Sequence, residues 1–237
     1  MTSITASTAT ISSASAFARQ SGPRPGQPGE LVTIARIIAD ETGKYSDQDK
    51  IKADFRLREI RSTNFFDYSL EERVEYGRLY NNSAYLKRLQ TAGEKWSRIL
   101  EQFSGWGGSD VAALKARIIA YDTQLTDFEK SLPDYAGLRE RMVVLLGMQE
   151  QLQARADAGA FKYGTPPGQV EDAEARLILQ LFNKQGLVQR TSDGQLVMPK
   201  EFAPYLQRGY ELLGEGGFGT IQDTITLSPQ ARRALGA

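Results

Sequence analysis

Val111, Leu114, Ile118, Tyr121, Leu125, Phe128 and Leu132 recur at steps of three and four, and neither glycine nor proline interrupts them. A step averaging 3.5 places all seven on one face of an α-helix, and a face so continuous must be covered by another element. The pattern predicts one unbroken helix over residues 111–132, stopped by Pro133, with a seam of the coiled-coil kind. Two other stretches carry the same signature. Ser69 and Glu72 form a capping box that opens a long helix, in which Leu79, Leu86, Leu89, Trp96, Leu100 and Phe103 share a seam interrupted by Asn82 and Gly93. Leu138, Met142, Leu145, Met148 and Leu152 mark a third helix. Short connections between long amphipathic helices make neighbours antiparallel, so residues 69–157 are expected to form a helical hairpin or a three-helix coiled-coil-like bundle.

The flanks are shorter in period. Residues 31–68 read as two short helices joined near Gly43, the first with Leu31, Ile34, Ala35 and Ile38 inward and the second with Ile51, Phe55, Leu57 and Ile60 inward. A loop holding Phe65 and Phe66 follows. The glycine-rich run 104–109 breaks the chain again, and Trp106 within it has no helical face to bury it, so it either meets a partner or folds back under the bundle tip. Residues 158–169 read as a linker into a small α+β region, 170–237. That region is expected to hold a helix over 170–185, with Val170, Ala173, Leu177, Ile178 and Leu181 inward and Gly186 as its C-cap. A hairpin turning at Asp193-Gly194, a helix over 200–213, a strand over 220–227 and a last helix from Ser228-Pro229 complete it. The fold class is therefore mainly α with a small α+β C-terminal part.

The first 30 residues differ in kind. They hold six Ser, four Thr, five Ala and three Pro, with no charge before Arg19 and no acid before Glu30. Too little bulky apolar surface is present to offset chain entropy, so this tail is expected to be disordered alone or ordered by a partner. Ala16-Phe17-Ala18 imitates a cleavage site, but neither a basic n-region nor an apolar h-region precedes it, which argues against a secretory signal. In composition the tail resembles organellar transit peptides and the export signals of type III and flagellar substrates, and that resemblance implies export or assembly in a particle rather than a free cytoplasmic state.

Chemistry is narrowed by two zeros. Without Cys and without His the chain builds no Ser-His-Asp or Cys-His centre and no thiolate or imidazole metal site. Lys plus Arg and Asp plus Glu both number 29, so no global field steers the chain toward nucleic acid or an anionic membrane. The longest near-continuous apolar run, Met142 to Met148 broken only at Gly147, is far shorter than the roughly 18 residues of a membrane span.

Several motifs invite a sharper reading. Gly214, Gly216 and Gly219 match the G-x-G-x-x-G spacing and resemble the phosphate loop of a protein kinase, but too little chain follows for the lysine, catalytic loop and metal-binding Asp that such a loop serves. Residues 174–190 and the following hairpin resemble the last helix and wing of a winged-helix DNA-binding domain, which implies nucleic-acid contact. Charge opposes it: residues 170–237 hold seven Lys and Arg against eight Asp and Glu, and the would-be recognition helix opens with Glu171, Asp172 and Glu174. A stripe of Arg176, Lys184, Arg190 and Arg208 on one face would favour nucleic acid; scattered placement favours assembly. Asp47 and Asp49 lack the glycine and bidentate Glu of a calcium loop and read as a solvated helix start. Asn81-Asn82-Ser83 fits a glycosylation sequon but falls inside the expected helix, where it reads as a polar seam break.

The sequence thus points to a non-enzymatic structural or interaction component of a larger assembly, an exported flagellar or type III-like part or a virion part, working through protein partners or self-association. The alternative is a cytoplasmic regulator or adaptor whose winged-helix-like C-terminal region contacts nucleic acid or a client protein. No catalytic, cofactor-binding or metal-ligating residue is nominated, and no cofactor or small-molecule substrate is expected.

Overall fold

The computed structural model describes residues 27–103 and 110–215. Expectations for residues 1–26, for the run 104–109 with Trp106, for Gly216 to Gly219, for the strand over 220–227 and for the helix from Ser228-Pro229 lie outside the described residues. Within them the chain is mainly helical, with nine α-helices and one two-stranded sheet. In order these are α1 (Glu30–Ile38), α2 (Asp47–Thr63), α3 (Leu70–Asn81), α4 (Ala84–Gln102), α5 (Val111–Gln124), α6 (Asp127–Ser131), α7 (Leu138–Asp157), α8 (Ala173–Phe182), β1 (Gln189–Arg190), β2 (Leu196–Val197) and α9 (Ala203–Leu213). No helix among the described residues is long and apolar enough to cross a membrane.

Local chemistry places the boundaries. Ser46 with Asp49, Ser69 with Glu72, and Thr126 with Glu129 each form reciprocal capping boxes, while Ser83, Asp110 and Asp172 cap α4, α5 and α8 with one side-chain acceptor each. The hairpin turns through Thr191 to Gly194, whose φ of 82° suits glycine, and pairs Gln189 with Val197 and Arg190 with Leu196.

Three of these boundaries correct the sequence reading. The seam over 111–132 is not one helix: α5 ends at Gln124, Leu125 is extended, and Thr126 caps the separate α6. The Thr126-x-x-Glu129 box satisfies the backbone donors that a new helix start exposes, so the chain bends there although no residue breaks helices. Burial survives the bend, since Leu114, Ile118, Tyr121, Leu125 and Leu132 are all buried. The helix expected from Ser69 onward also splits. Asn82 donates to the Arg78 carbonyl and Ser83 accepts the Leu86 N–H, so the sequon is a joint between α3 and α4 rather than a break within one seam. Of the expected seam, Leu86, Leu89, Trp96 and Phe103 pack half-buried against the core and Leu100 faces outward, while the fully buried positions of α4 are Tyr85, Ala92 and Ile99. In α8, Asn183 is the C-cap and Gly186 lies in a following 3-10 turn; Ala175, Ile178 and Leu181 are inward, whereas Ala173 is exposed and Leu177 is 42% exposed.

The packing centres on α7, whose neighbours are α9, α5 and α8, while α1 packs on α2 and α3. Gly147 of α7 and Gly209 of α9 set the closest approach. A Cβ on Gly147 would run into the Tyr205 carbonyl, and one on Gly209 would run into the Val143 carbonyl. Backbone therefore lies on backbone where the two helices cross, with Met142, Val143, Leu146, Tyr205 and Leu206 closing the core around it. Ion pairs clasp both ends: Arg190 to Glu140 at 2.6 Å, Arg208 to Glu150 at 2.7 Å, Arg155 to Asp172 at 2.7 Å and Arg139 to Glu215 at 2.5 Å.

Gly147→Ala and Gly209→Ala are each expected to lower stability by at least about 2 kcal/mol in urea unfolding, because the helices must separate to admit a methyl group. Gly93→Ala, in α4, is expected to be neutral or to stabilise by up to about 1 kcal/mol, since its nearest neighbour would be the Tyr135 hydroxyl at 3.8 Å. Wild-type stability in Gly147→Ala would refute the tight crossing.

Candidate functional site

One polar side of α2 faces later parts of the chain. Asp47, Asp54 and Arg58 stand at helical intervals on that side and meet two later elements, α4 and the turn before α7. Arg88 of α4 holds Asp47 at 2.8 and 3.1 Å, Tyr85 of α4 donates its hydroxyl to Asp54 at 3.1 Å, and Arg58 grips Asp134, in the turn before α7, with two bonds of 2.5 and 2.8 Å. Arg58 also lies 3.7 Å from Asp54. Asp54 is 1% exposed. Burial raises its pKa above the usual carboxylate value, against the opposing pull of Arg58 and the Tyr85 hydroxyl. The same burial, with the neighbouring Asp54 charge, lifts the Tyr85 phenol and pushes Tyr80 to about 12. A carboxylate so enclosed is a structural ion cluster, its partners supplied by the protein itself.

Beside the cluster is a cavity of about 370 Å³, lined by Asp54, Arg58, Arg61, Ser62 and Tyr80. From its wall a row of aromatic rings leads to the surface. Tyr80 stacks on Tyr76 at 5.5 Å, Tyr76 meets Phe65 edge-on at 5.9 Å, Phe65 meets Phe66 edge-on at 5.7 Å, and the Arg73 guanidinium lies 5.5 Å from the Phe66 ring centre. Phe66 is 82% exposed, and four and eight residues later Leu70 is 68% and Val74 63% exposed. Leu70 and Val74 lie one turn apart on a side of α3 away from the buried Tyr76 and Tyr80, and Phe66 projects from the 3-10 turn that precedes the helix.

A second cleft, about 340 Å³, lies between α4 and α6 and is lined by Lys87, Arg88, Thr91, Thr126, Phe128 and Glu129. Its groups are mutually engaged. Arg88 stacks 3.2 Å from the Phe128 ring centre, and Lys95 reaches Glu129 at 2.6 Å. Burial would raise the Glu129 pKa, but Lys95 and the Thr126 N–H and hydroxyl outweigh it and hold the carboxyl below its ordinary value.

The residues named from sequence disperse. Asp47 is paired with Arg88 and Asp49 closes the Ser46 cap. Gly214 is the left-handed C-cap of α9. Of the four cations proposed for a nucleic-acid stripe, Arg190 is held by Glu140 and the Gly194 carbonyl, and Arg208 by Glu150 and Glu211. The exposed residues of α8 include Glu174, Leu177 and Gln180, none of them basic. No group of three or more acidic side chains among the described residues is placed to hold a metal ion. The sequence did not single out Leu70, Val74 or Asp54. The signal for the first two was present, as apolar residues at i+4 and i+8 from Phe66 that fall off the α3 core face. Nothing local marks Asp54, because its partners come from residues 85 and 134. No protein family matches the chain, and neither a curated protein nor a solved structure is found to match it.

Asp54 gives a pH test. Its folded pKa stands above the unfolded value, so burying its charge costs stability at neutral pH, and that cost fades as pH falls through the folded pKa. Lowering pH from 7 to 4 is expected to move the Tm of the wild type upward relative to that of Asp54→Asn. A pH-independent Tm difference between the two proteins would show that Asp54 is not desolvated.

Proposed function

We propose that this chain is a non-enzymatic interaction component of a larger protein assembly and that it docks through the α3 stripe. The observation that carries the reading is the set Phe66, Leu70 and Val74, three large apolar side chains left in water on the first half of α3 and on the turn that leads into it. Single exposed apolar residues are ordinary, whereas a contiguous row marks a surface that another macromolecule covers. The fold supports this use. The packed helices α4, α5 and α7 act in this reading as a bundle-like scaffold, and the aromatic row behind Phe66 gives the stripe a rigid backing, so little side-chain entropy is lost on docking. The engagement of Arg190 and Arg208 by α7 carboxylates favours a protein partner over nucleic acid.

Leu70→Glu and Val74→Glu test the reading. Both sites are exposed, so each variant is expected to keep its helical spectrum and to stay within about 0.5 kcal/mol of wild-type stability. In extracts of the native cell each is expected to leave the high-mass fractions in which the wild type elutes. Wild-type elution of both folded variants would refute the proposal.

A further inference from the structure

The cavity beside Asp54 is lined by more hydrogen-bond donors than the chain uses. Arg58 spends both terminal nitrogens on Asp134. Its Nε–H, shut off from solvent, makes no hydrogen bond among the described residues, and Asp54, at 3.7 Å, is too far away to accept it. Arg61, one turn further along α2, lines the same cavity beside the Tyr76 phenol and makes no ion pair among the described residues. Burial, and then the Asp54 charge, keep Tyr80 protonated with its pKa pushed up to about 12, so its hydroxyl is a donor at neutral pH, and it too makes no hydrogen bond among the described residues. Ser62 differs, because its hydroxyl is spent on the Glu59 carbonyl at 2.9 Å.

Charge at the wall has the same sense. The guanidiniums of Arg58 and Arg61 stand against the single carboxylate of Asp54, since Asp134 is not part of the lining, and Asp54 already accepts the Tyr85 hydroxyl. One positive charge and donors from three side chains of α2 and α3 are therefore left around a space of about 370 Å³. An enclosed donor left unmet costs free energy, and an acceptor that reaches it recovers that cost. A carboxylate offers two oxygens in one plane, whereas a phosphate offers three or four that point in different directions, as donors from three side chains require.

We infer that this cavity is an oxyanion site for a phosphate group, held by Arg61, the Arg58 Nε–H and the Tyr80 hydroxyl. The site goes beyond the docking reading and does not depend on it, because Leu70 and Val74 lie on another side of α3. A bare phosphate fills only part of the space, which leaves room for the organic part of a small monoester.

The test is a titration of the full chain with sodium phosphate at neutral pH and fixed ionic strength, up to about 50 mM because one free guanidinium supports an affinity on the order of 1 mM. Amide chemical shifts of residues 54–62 and 76–80 are expected to move and saturate. Arg61→Gln, at an exposed position, is expected to weaken binding at least about ten-fold without changing Tm. Asp54→Asn removes the opposing charge at nearly constant volume and is expected to tighten binding at least about three-fold. Lys52→Gln makes the same charge change on the opposite side of α2 and is expected to stay within about two-fold of wild type. Phenyl phosphate run beside inorganic phosphate distinguishes the source: tighter binding of the ester assigns the site to a monoester, and equal binding assigns it to free phosphate. Shifts that grow without saturating, or an equal loss in Arg61→Gln and Lys52→Gln, reduce the effect to screening and overturn the site. Acetate binding as tightly as phosphate overturns the assignment to a phosphate group.

Discussion

The crossing of α7 and α9 at Gly147 and Gly209 is the constraint on which the arrangement of the later chain depends. Two helices usually rest 8–10 Å apart because their side chains interdigitate. Here each helix presents a glycine at the contact, and the carbonyls of Tyr205 and Val143, with the Val143 Cγ1 beside the latter, lie where a Cβ would otherwise stand. That proximity fixes the rotation of α9 about its own axis, which in turn presents Arg208 to Glu150 and leaves Glu215 beside Arg139. The hairpin is set against the same helix by Gly137, since a Cβ at that α7 cap would meet the backbone of Gln189 and Arg190. Helix, hairpin and ion pairs follow from where three glycines, Gly137, Gly147 and Gly209, allow backbone to touch.

The early helices are joined by a different physics. Leu31, Ile34, Ile51, Leu57 and Ile60 pack among α1 and α2, but the reach from α2 to α4 and to the turn before α7 is made by Asp47, Asp54 and Arg58. Ion pairs are directional and screened by salt, and a buried carboxylate carries a desolvation penalty that an apolar contact lacks. The α2 joint is therefore specific in geometry and modest in net stabilisation, while the α7–α9 crossing is intolerant of added volume.

The surface reflects both halves. Where α3 turns Tyr76 and Tyr80 inward, Tyr80 lining the cavity beside Asp54, its other side is left with Leu70 and Val74 in solvent, and Phe66 projects from the turn before it. The aromatic row from Tyr80 to Phe66 connects the two, so the stripe is held by the same rings that wall the ion cluster. Gly77, on that outward side, has nothing to pack against within the chain.

Periodicity and capping chemistry located the helical stretches but not every break within them, because both act within a turn or two of chain. The seam residues Leu114, Ile118, Tyr121, Leu125 and Leu132, the Ser69–Glu72 box, the Asp193-Gly194 hairpin and the helix of Met142 and Met148 were all readable in that way. The break at Thr126 was readable too, in the Thr126-x-x-Glu129 spacing, but a continuous apolar seam masked it: burial asks only that side chains point to one side, and a bent chain satisfies that as well as a straight one. Tertiary structure alone decided the rest. Gly147 looked like an interruption in an apolar run until α9 arrived to fill the space it leaves, Asp54 looked like one acidic residue on a polar helix until Tyr85 and Arg58 enclosed it, and Leu70 and Val74 became a stripe only when α3 committed its other face to α1. Each of these depends on what a distant segment places nearby, and a local pattern holds no record of distance in space.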